Sequence, residues 1–429
     1  MEKKRRVGVY LSASVVLNNP DYVEVLRDEI GLNLAVLGFA GQASEALRGK
    51  SPFDGVPLSE ECLLGLLARD LDGDPLDPRE YDTVRAGVGP SVGAGGDDQT
   101  LNRAIEVLRR AGVEIWLGLG SWTGSSLMYC PSKDRVNDWY EALYVHCATQ
   151  YDVDGLDISH ARFPKCAEWR GVQACTCADC ARSAADMGYD MEEMTGALRH
   201  AVGRWSTAEP GLLAAVGRSS LGAFDLLQWL GMRSGVSDWL RFRAALLSVK
   251  MAGFHRAVHA TAGADFVFGS DTHPASLAPF VGNDHSAWAE FSDYASPLVS
   301  HIESFVTNTF ATWVPLLQQV NPGASEEDVL QVLYRFLGYD GMGMPETLAD
   351  YRAEQAERLA YTLPLEELIL RDLRKARLLL PPQLPSYPII HGTGWPRVAI
   401  DAILHGSDAA GHDGVVWQGT DELVDYRLK

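Results

Sequence analysis

The chain has 429 residues, 46% of them hydrophobic and 22% charged, with 37 basic against 57 acidic side chains and a formal net charge of −20. This is ordinary globular composition, long enough for one large α/β barrel or two average domains. The acidic excess is spread along the sequence, which disfavours nucleic acid or an anionic membrane as the main partner, because both require clustered positive potential.

No apolar run approaches the ~20 residues that span a bilayer. The amino terminus, Glu2-Lys3-Lys4-Arg5-Arg6 followed by VGVYLSASVVL, has the outline of a short signal peptide. Serines break its apolar run, however, and cleavage would remove the first strand, so it is read as a solvated basic tip and the expected location is cytoplasmic. Seven cysteines, four of them crowded together, suit metal binding in a reducing compartment better than a disulfide framework.

Taken in order, residues 7–13 read as strand one and 21–30 as its helix, with strand two at 32–38. Residues 40–98 form a long excursion with a short amphipathic helix near 59–69. It also carries a glycine-rich run, AGVGPSVGAGG, that lacks the lysine and strand-to-helix setting of a phosphate loop. Residues 99–111 are a helix, 113–118 strand three and 136–149 the next helix. The stretch YDVDGLDISHARFP then gives strand four, with Gly155, Asp157 and Ser159 on one face and Leu156, Ile158 and His160 on the other.

Helices follow at 191–205, near 221–232 and at 237–261. The segment 212–216 has some strand character, contradicted by the helical spacing after it. Strand five, 265–270, ends in Asp271-Thr272-His273-Pro274, and strand six, 294–300, in His301-Ile302-Glu303. A second excursion, 304–385, carries helices near 325–337, 346–360 and 364–377. Strand seven is 388–391, its helix 397–405 and strand eight 414–418.

Eight strands alternating with helices or loops predict a (β/α)8 TIM barrel as one domain over residues 1–429, with long β2-α2 and β6-α6 excursions at about 40–98 and 304–385. A doubly wound open sheet is the alternative, but no GxGxxG follows strand one.

In such a barrel the active site lies at the carboxyl ends of the strands. The candidates there are Tyr10, Trp122, Asp157, Ser159, Asp271, His273, His301, Glu303, His391, Trp395 and Gln418. Tryptophans can stack on sugar rings, and acids paired across a cleft perform glycosidic acid/base or nucleophilic work. Asp157, inside its strand, needs a partner, which Arg162 or a donor from a neighbouring strand could provide; the same arginine is a candidate substrate contact. Asp157 is assigned as nucleophile or stabilising carboxylate, with Asp271 or Glu303 as general acid. Tyr10, Trp122, Ser159, Arg162, His273, His301, His391, Trp395 and Gln418 are assigned to a small-molecule or oligosaccharide substrate. His255, His285 and His405 are read as ordinary surface or core histidines, and a homo-oligomer is left open.

Cys175-x-Cys177-x-x-Cys180 places three thiolates on one tight turn. A fourth would complete a structural tetrahedral zinc site, with Cys130 after strand three the natural ligand and Cys166 its competitor. Cys62 and Cys147 read as core residues.

At Cys130 and the Cys175-Cys177-Cys180 loop the sequence resembles the zinc-containing glycoside hydrolase family 42 beta-galactosidases. It also resembles a broader group of glycosidase-like barrels through Asp154-Gly155, Asp157 and Arg162-Phe163-Pro164. The resemblance covers residues 113–190 and implies a glycosidase-type barrel with a structural zinc held by four cysteines. It does not carry over the family's Asn-Glu pair at strand four or its strand-seven glutamate, where this chain has Ile158-Ser159-His160 and Ile390-His391-Gly392. A glycosidase-like barrel that binds a sugar-like ligand without hydrolysing it therefore stands beside the hydrolase. A metal-dependent hydrolase is disfavoured because strand one, YLSAS, lacks His-x-His.

Overall fold

The computed structural model describes residues 5–39, 65–76, 97–122, 129–167, 169–218, 223–229, 231, 234–351 and 363–428. The strands are β1 (Arg6–Leu11), β2 (Leu34–Gly38), β3 (Glu114–Gly120), β4 (Gly155–Ser159), β5 (Val267–Thr272), β6 (Ala295–Pro297), β7 (Ile389–His391) and β8 (Gly414–Gln418). All pairings between them are parallel, in the order β6-β5-β4-β3-β2-β1-β8-β7. Isolated parallel bridges Ala295–Ser386 and Leu298–Ile389 join the two ends of that order. The fold is thus a (β/α)8 TIM barrel, and the open doubly wound sheet is excluded because its outer strands could not meet.

Strand alternation sorts side chains between barrel interior and helix layer. In β1, Val9 and Leu11 pack outward into the core while Arg6, Gly8 and Tyr10 face the axis. Register carries the same sorting to β3, β4 and β5, where Trp116, Gly155, Asp157, Gly269 and Asp271 face inward. Large and small residues alternate around the axis as a filled interior requires. A Cβ at Gly269 would fall inside the Tyr294 ring, which stacks on Trp116 with centroids 4.3 Å apart. Glycine at that point is what lets a tyrosine lie across the barrel under the mouth.

Residues 212–216 lie within the Pro210–Arg218 helix, as the helical spacing there indicated. Two local readings differ from the structure. β6 is shorter than the run 294–300. The 19-residue helix Ile302–Val320 went unread: its threonines, valines and internal Pro315 depress helix propensity. Burial overrides propensity there, since Ile302, Phe305, Val306, Thr309, Phe310, Trp313 and Val314 form one packed stripe. The readings at 86–96, at Cys62 and over most of 346–360 fall outside the described residues. Among the described residues no helix is long and apolar enough to cross a membrane.

Candidate active site

Asp157 lies inside the barrel mouth, 1% exposed. Its carboxylate accepts the Tyr10 hydroxyl at 2.9 Å on one oxygen and the Tyr294 hydroxyl on the other. Its partners are therefore two phenols, and the Arg162 guanidinium, which donates to the Phe163 carbonyl at 3.1 Å, is not among them. Burial and, second, the charge of Asp271 push Asp157 up to about 7, against the two tyrosine hydrogen bonds that pull it down.

Asp271 stands one step nearer the rim on the neighbouring strand and is only half-buried. The Ser159 hydroxyl (3.1 Å) and the His160 backbone N–H (3.0 Å) hold its two oxygens. The second of these donors depends on a backbone turn that strand periodicity conceals. β4 ends at Ser159, and His160 adopts φ 63°, in the left-handed region. The turn aims its N–H at Asp271 and brings its Nδ1 to 2.7 Å from the Ser159 oxygen. The reading that placed His160 on the face opposite Asp157 is thereby corrected. Burial lowers the His160 pKa; Asp271 opposes this, whereas Arg162, Lys165 and His301 add to it.

His301 belongs to the other half of the mouth. Its Nδ1 lies 3.2 Å from His391 Nε2, and the His391 ring meets Trp395 edge-on at 5.1 Å. Gln418 accepts the Ser300 hydroxyl at 2.7 Å beside them. Glu303 sits half-buried in the first turn of the Ile302–Val320 helix, on the same rim.

Two other sequence candidates lie elsewhere. Trp122 is fully buried, with its indole N–H on Asn137 at 2.9 Å and its ring against Tyr140 and Phe254. His273, 2% exposed, packs on Phe305 and faces the Cys166 sulfur at 3.8 Å. Two site residues, His160 and Tyr294, escaped the sequence reading. Tyr294 was read only as the first residue of strand six, and no sequence signal marked the left-handed turn at His160.

The sulfur cluster assembles as expected from Cys130, Cys175, Cys177 and Cys180, all buried, with every sulfur within 4.8 Å of the others. Cys130 lies 3.4 Å from Cys180 and 3.6 Å from Cys177. Cys166 is not part of it and contacts the Thr309 hydroxyl at 3.2 Å. Zinc–sulfur bonds of ~2.3 Å in a tetrahedron put sulfurs roughly 3.8 Å apart, so the donor set fits zinc. Backbone N–H groups of Ser132 (3.4 Å) and Arg69 (3.1 Å) point at Cys130 and Cys175, the usual support for thiolate ligands.

Arg243 is also relevant. It is wholly buried, among the described residues its guanidinium donates to the carbonyls of Gly171, Val172 and Phe280, and it lies over the Phe163 ring. Burial pulls it down to about 9, opposed by the negative charge of Cys175 and Cys180. A buried cation without a carboxylate partner is what an anionic metal–thiolate cluster would stabilise.

No family model matches the chain, and no curated protein matches it. Among solved structures it is similar to the PgaB (BpsB) glycoside hydrolase domain from Bordetella bronchiseptica, at 10% identity over 99% of each chain with a TM-score of 0.48. It is also similar to the catalytic domain of beta-amylase from Paenibacillus polymyxa, at 9% identity over 98% of this chain and 94% of that one with a TM-score of 0.45. Likenesses this distant carry no argument about chemistry, which rests on the site itself.

Proposed function

We propose that this chain is a carbohydrate-active enzyme, a glycoside hydrolase working through paired carboxylates at the barrel mouth on a small-molecule or oligosaccharide substrate. The observation that carries the reading is the Asp157–Asp271 pair on adjacent strands. The inner acid is raised to about 7 by burial and by its neighbour, and the outer one is cradled by two donors. Burial and a neighbouring acid thus set the inner carboxyl apart from the outer one, the kind of difference in environment that glycosidic acid/base chemistry draws on.

Asp271 is then the nucleophile or base, and Glu303, on the same rim, the general acid. Asp157, given the role of nucleophile or stabilising carboxylate by sequence, becomes the buried partner beneath Asp271, pushed up to about 7 by burial. His301, His391 and Gln418 line the opposite wall.

A second reading, sugar binding without hydrolysis, is favoured by two observations: tyrosine hydroxyls occupy both oxygens of Asp157, and strand seven supplies His391 in place of a carboxylate. An aryl-glycoside panel separates the two. Asp271→Asn is expected to lower kcat/KM on the order of 10²–10⁴-fold while sugar binding persists. Undiminished turnover in that variant would sink the assignment, and wild-type sugar binding without turnover would favour the second reading.

For the sulfur cluster we propose structural zinc. Four protein thiolates leave no open coordination position, so the metal would tie the loops after β3 and β4 together and would not activate water. Thiols kept for a metal also accord with the cytoplasmic location expected from the sequence.

A further inference from the structure

At the end of the barrel opposite the mouth, His255, read from sequence as unremarkable, and His259 converge on one carboxylate. His255 and His259 are four residues apart on the Ser234–Ala262 helix, which puts both on one face one turn apart. Their Nε2 atoms lie 3.2 Å and 3.1 Å from the two oxygens of Asp293, in the connection leading into β6. All three donor atoms fall within 4.8 Å of one another. Asp293 is fixed from behind: its Oδ2 accepts the Phe268 N–H at 2.8 Å and its own N–H donates to the Phe268 carbonyl at 2.9 Å.

We propose that His255, His259 and Asp293 form a second metal site, selective for a divalent transition ion such as zinc and independent of the carbohydrate reading. Metal–ligand bonds of ~2.1 Å place neighbouring donors roughly 3.0–3.4 Å apart, and the two nitrogen-to-carboxylate distances, 3.2 Å and 3.1 Å to different oxygens, fall in that range. Imidazole nitrogen with one carboxylate suits this class of ion and not magnesium or calcium, which prefer all-oxygen shells.

The alternative occupant is a pair of protons. In that state each ring carries N–H on Nε2, which a neutral tautomer supplies, and donates to one oxygen of Asp293, with the ring centroids 4.0 Å apart. One ion satisfies both nitrogens and the carboxylate together. The side chains of His255, His259 and Asp293 are 21%, 20% and 35% exposed, so an ion can enter and water can complete its shell. Bound there, it would clamp the 29-residue helix to the β5–β6 edge.

The test is zinc stoichiometry on full-length protein stripped with chelator under reducing conditions and titrated with zinc chloride. Wild type is expected to bind one equivalent more than His259→Gln or His255→Gln, whatever the cysteine cluster holds, since neither variant touches a sulfur. Equal stoichiometry in all three proteins would overturn the proposal. X-ray absorption of zinc-saturated wild type gives a second readout that needs no variant: a nitrogen/oxygen shell beside any sulfur shell supports the site, and a purely sulfur shell refutes it.

Discussion

Asp157 concentrates the conflict at the scale of single residues. Its folded pKa, about 7, stands above the ordinary carboxylate value of 3.8, so the folded protein holds this proton more tightly than the unfolded chain does. The resulting stability is fully present below about pH 4 and is lost as pH rises through about 7. It amounts to a few kcal/mol, on the order of 1.4 for each pH unit between those values. Asp157→Asn, which cannot ionise, is expected to melt higher than wild type at pH 8 and to show less difference between pH 5 and pH 8. Thermal unfolding at those two values checks this. A purely structural acceptor for Tyr10 and Tyr294 would behave oppositely, because replacing it would lower the melting temperature at both.

At the scale of elements, the loop from Phe163 to Cys180 is short of regular structure and depends on what it ties to. Arg243, from the Ser234–Ala262 helix, satisfies its Gly171 and Val172 carbonyls, and the sulfur cluster joins it to Cys130 on the loop after β3. Lys133 forms an ion pair with Asp179 beside the same sulfurs. Loss of the proposed metal should therefore loosen this loop while leaving the strands paired. Cys177→Ser, or prolonged chelation of wild type, is expected to lower the melting temperature and to expose the remaining thiols to alkylation, with zinc content measured on the same samples. Unchanged melting and protected thiols in zinc-free protein would count against a structural metal.

For the whole molecule, the closure of the barrel is uneven. β1 to β4 pair over four or five residues at each junction, whereas β6 and β7 meet only through isolated bridges. Few backbone hydrogen bonds cross that seam, among them Tyr387 N–H to Ala295 and Val299 N–H to Ile389. Local opening should favour the seam, so amides of Tyr387 and Val299 are expected to exchange with deuterium faster than those of Val36, Leu117 and Leu156. Uniform protection around the barrel would contradict this. The seam separates β6, which leads to His301 and Glu303, from β7, which carries His391, so opening there would alter one wall of the mouth.

How much of this was legible in the sequence depended on the range of the forces involved. Alternation of apolar and polar residues, and helix spacing between strands, are local signals; they determined the eight strands, the barrel and the inward direction of Asp157, and the CxCxxC spacing announced the sulfur cluster. Partnership across the axis is not local. That Tyr294 and Tyr10 clamp Asp157, that Cys130 and not Cys166 completes the sulfur set, and that His255 and His259 meet Asp293 follow from strand register and helix docking, which bring together residues far apart in the chain. The turn at His160 has the same origin: the left-handed conformation is unfavourable for an isolated residue and exists because Asp271 and Ser159, already placed by the barrel, bond to it.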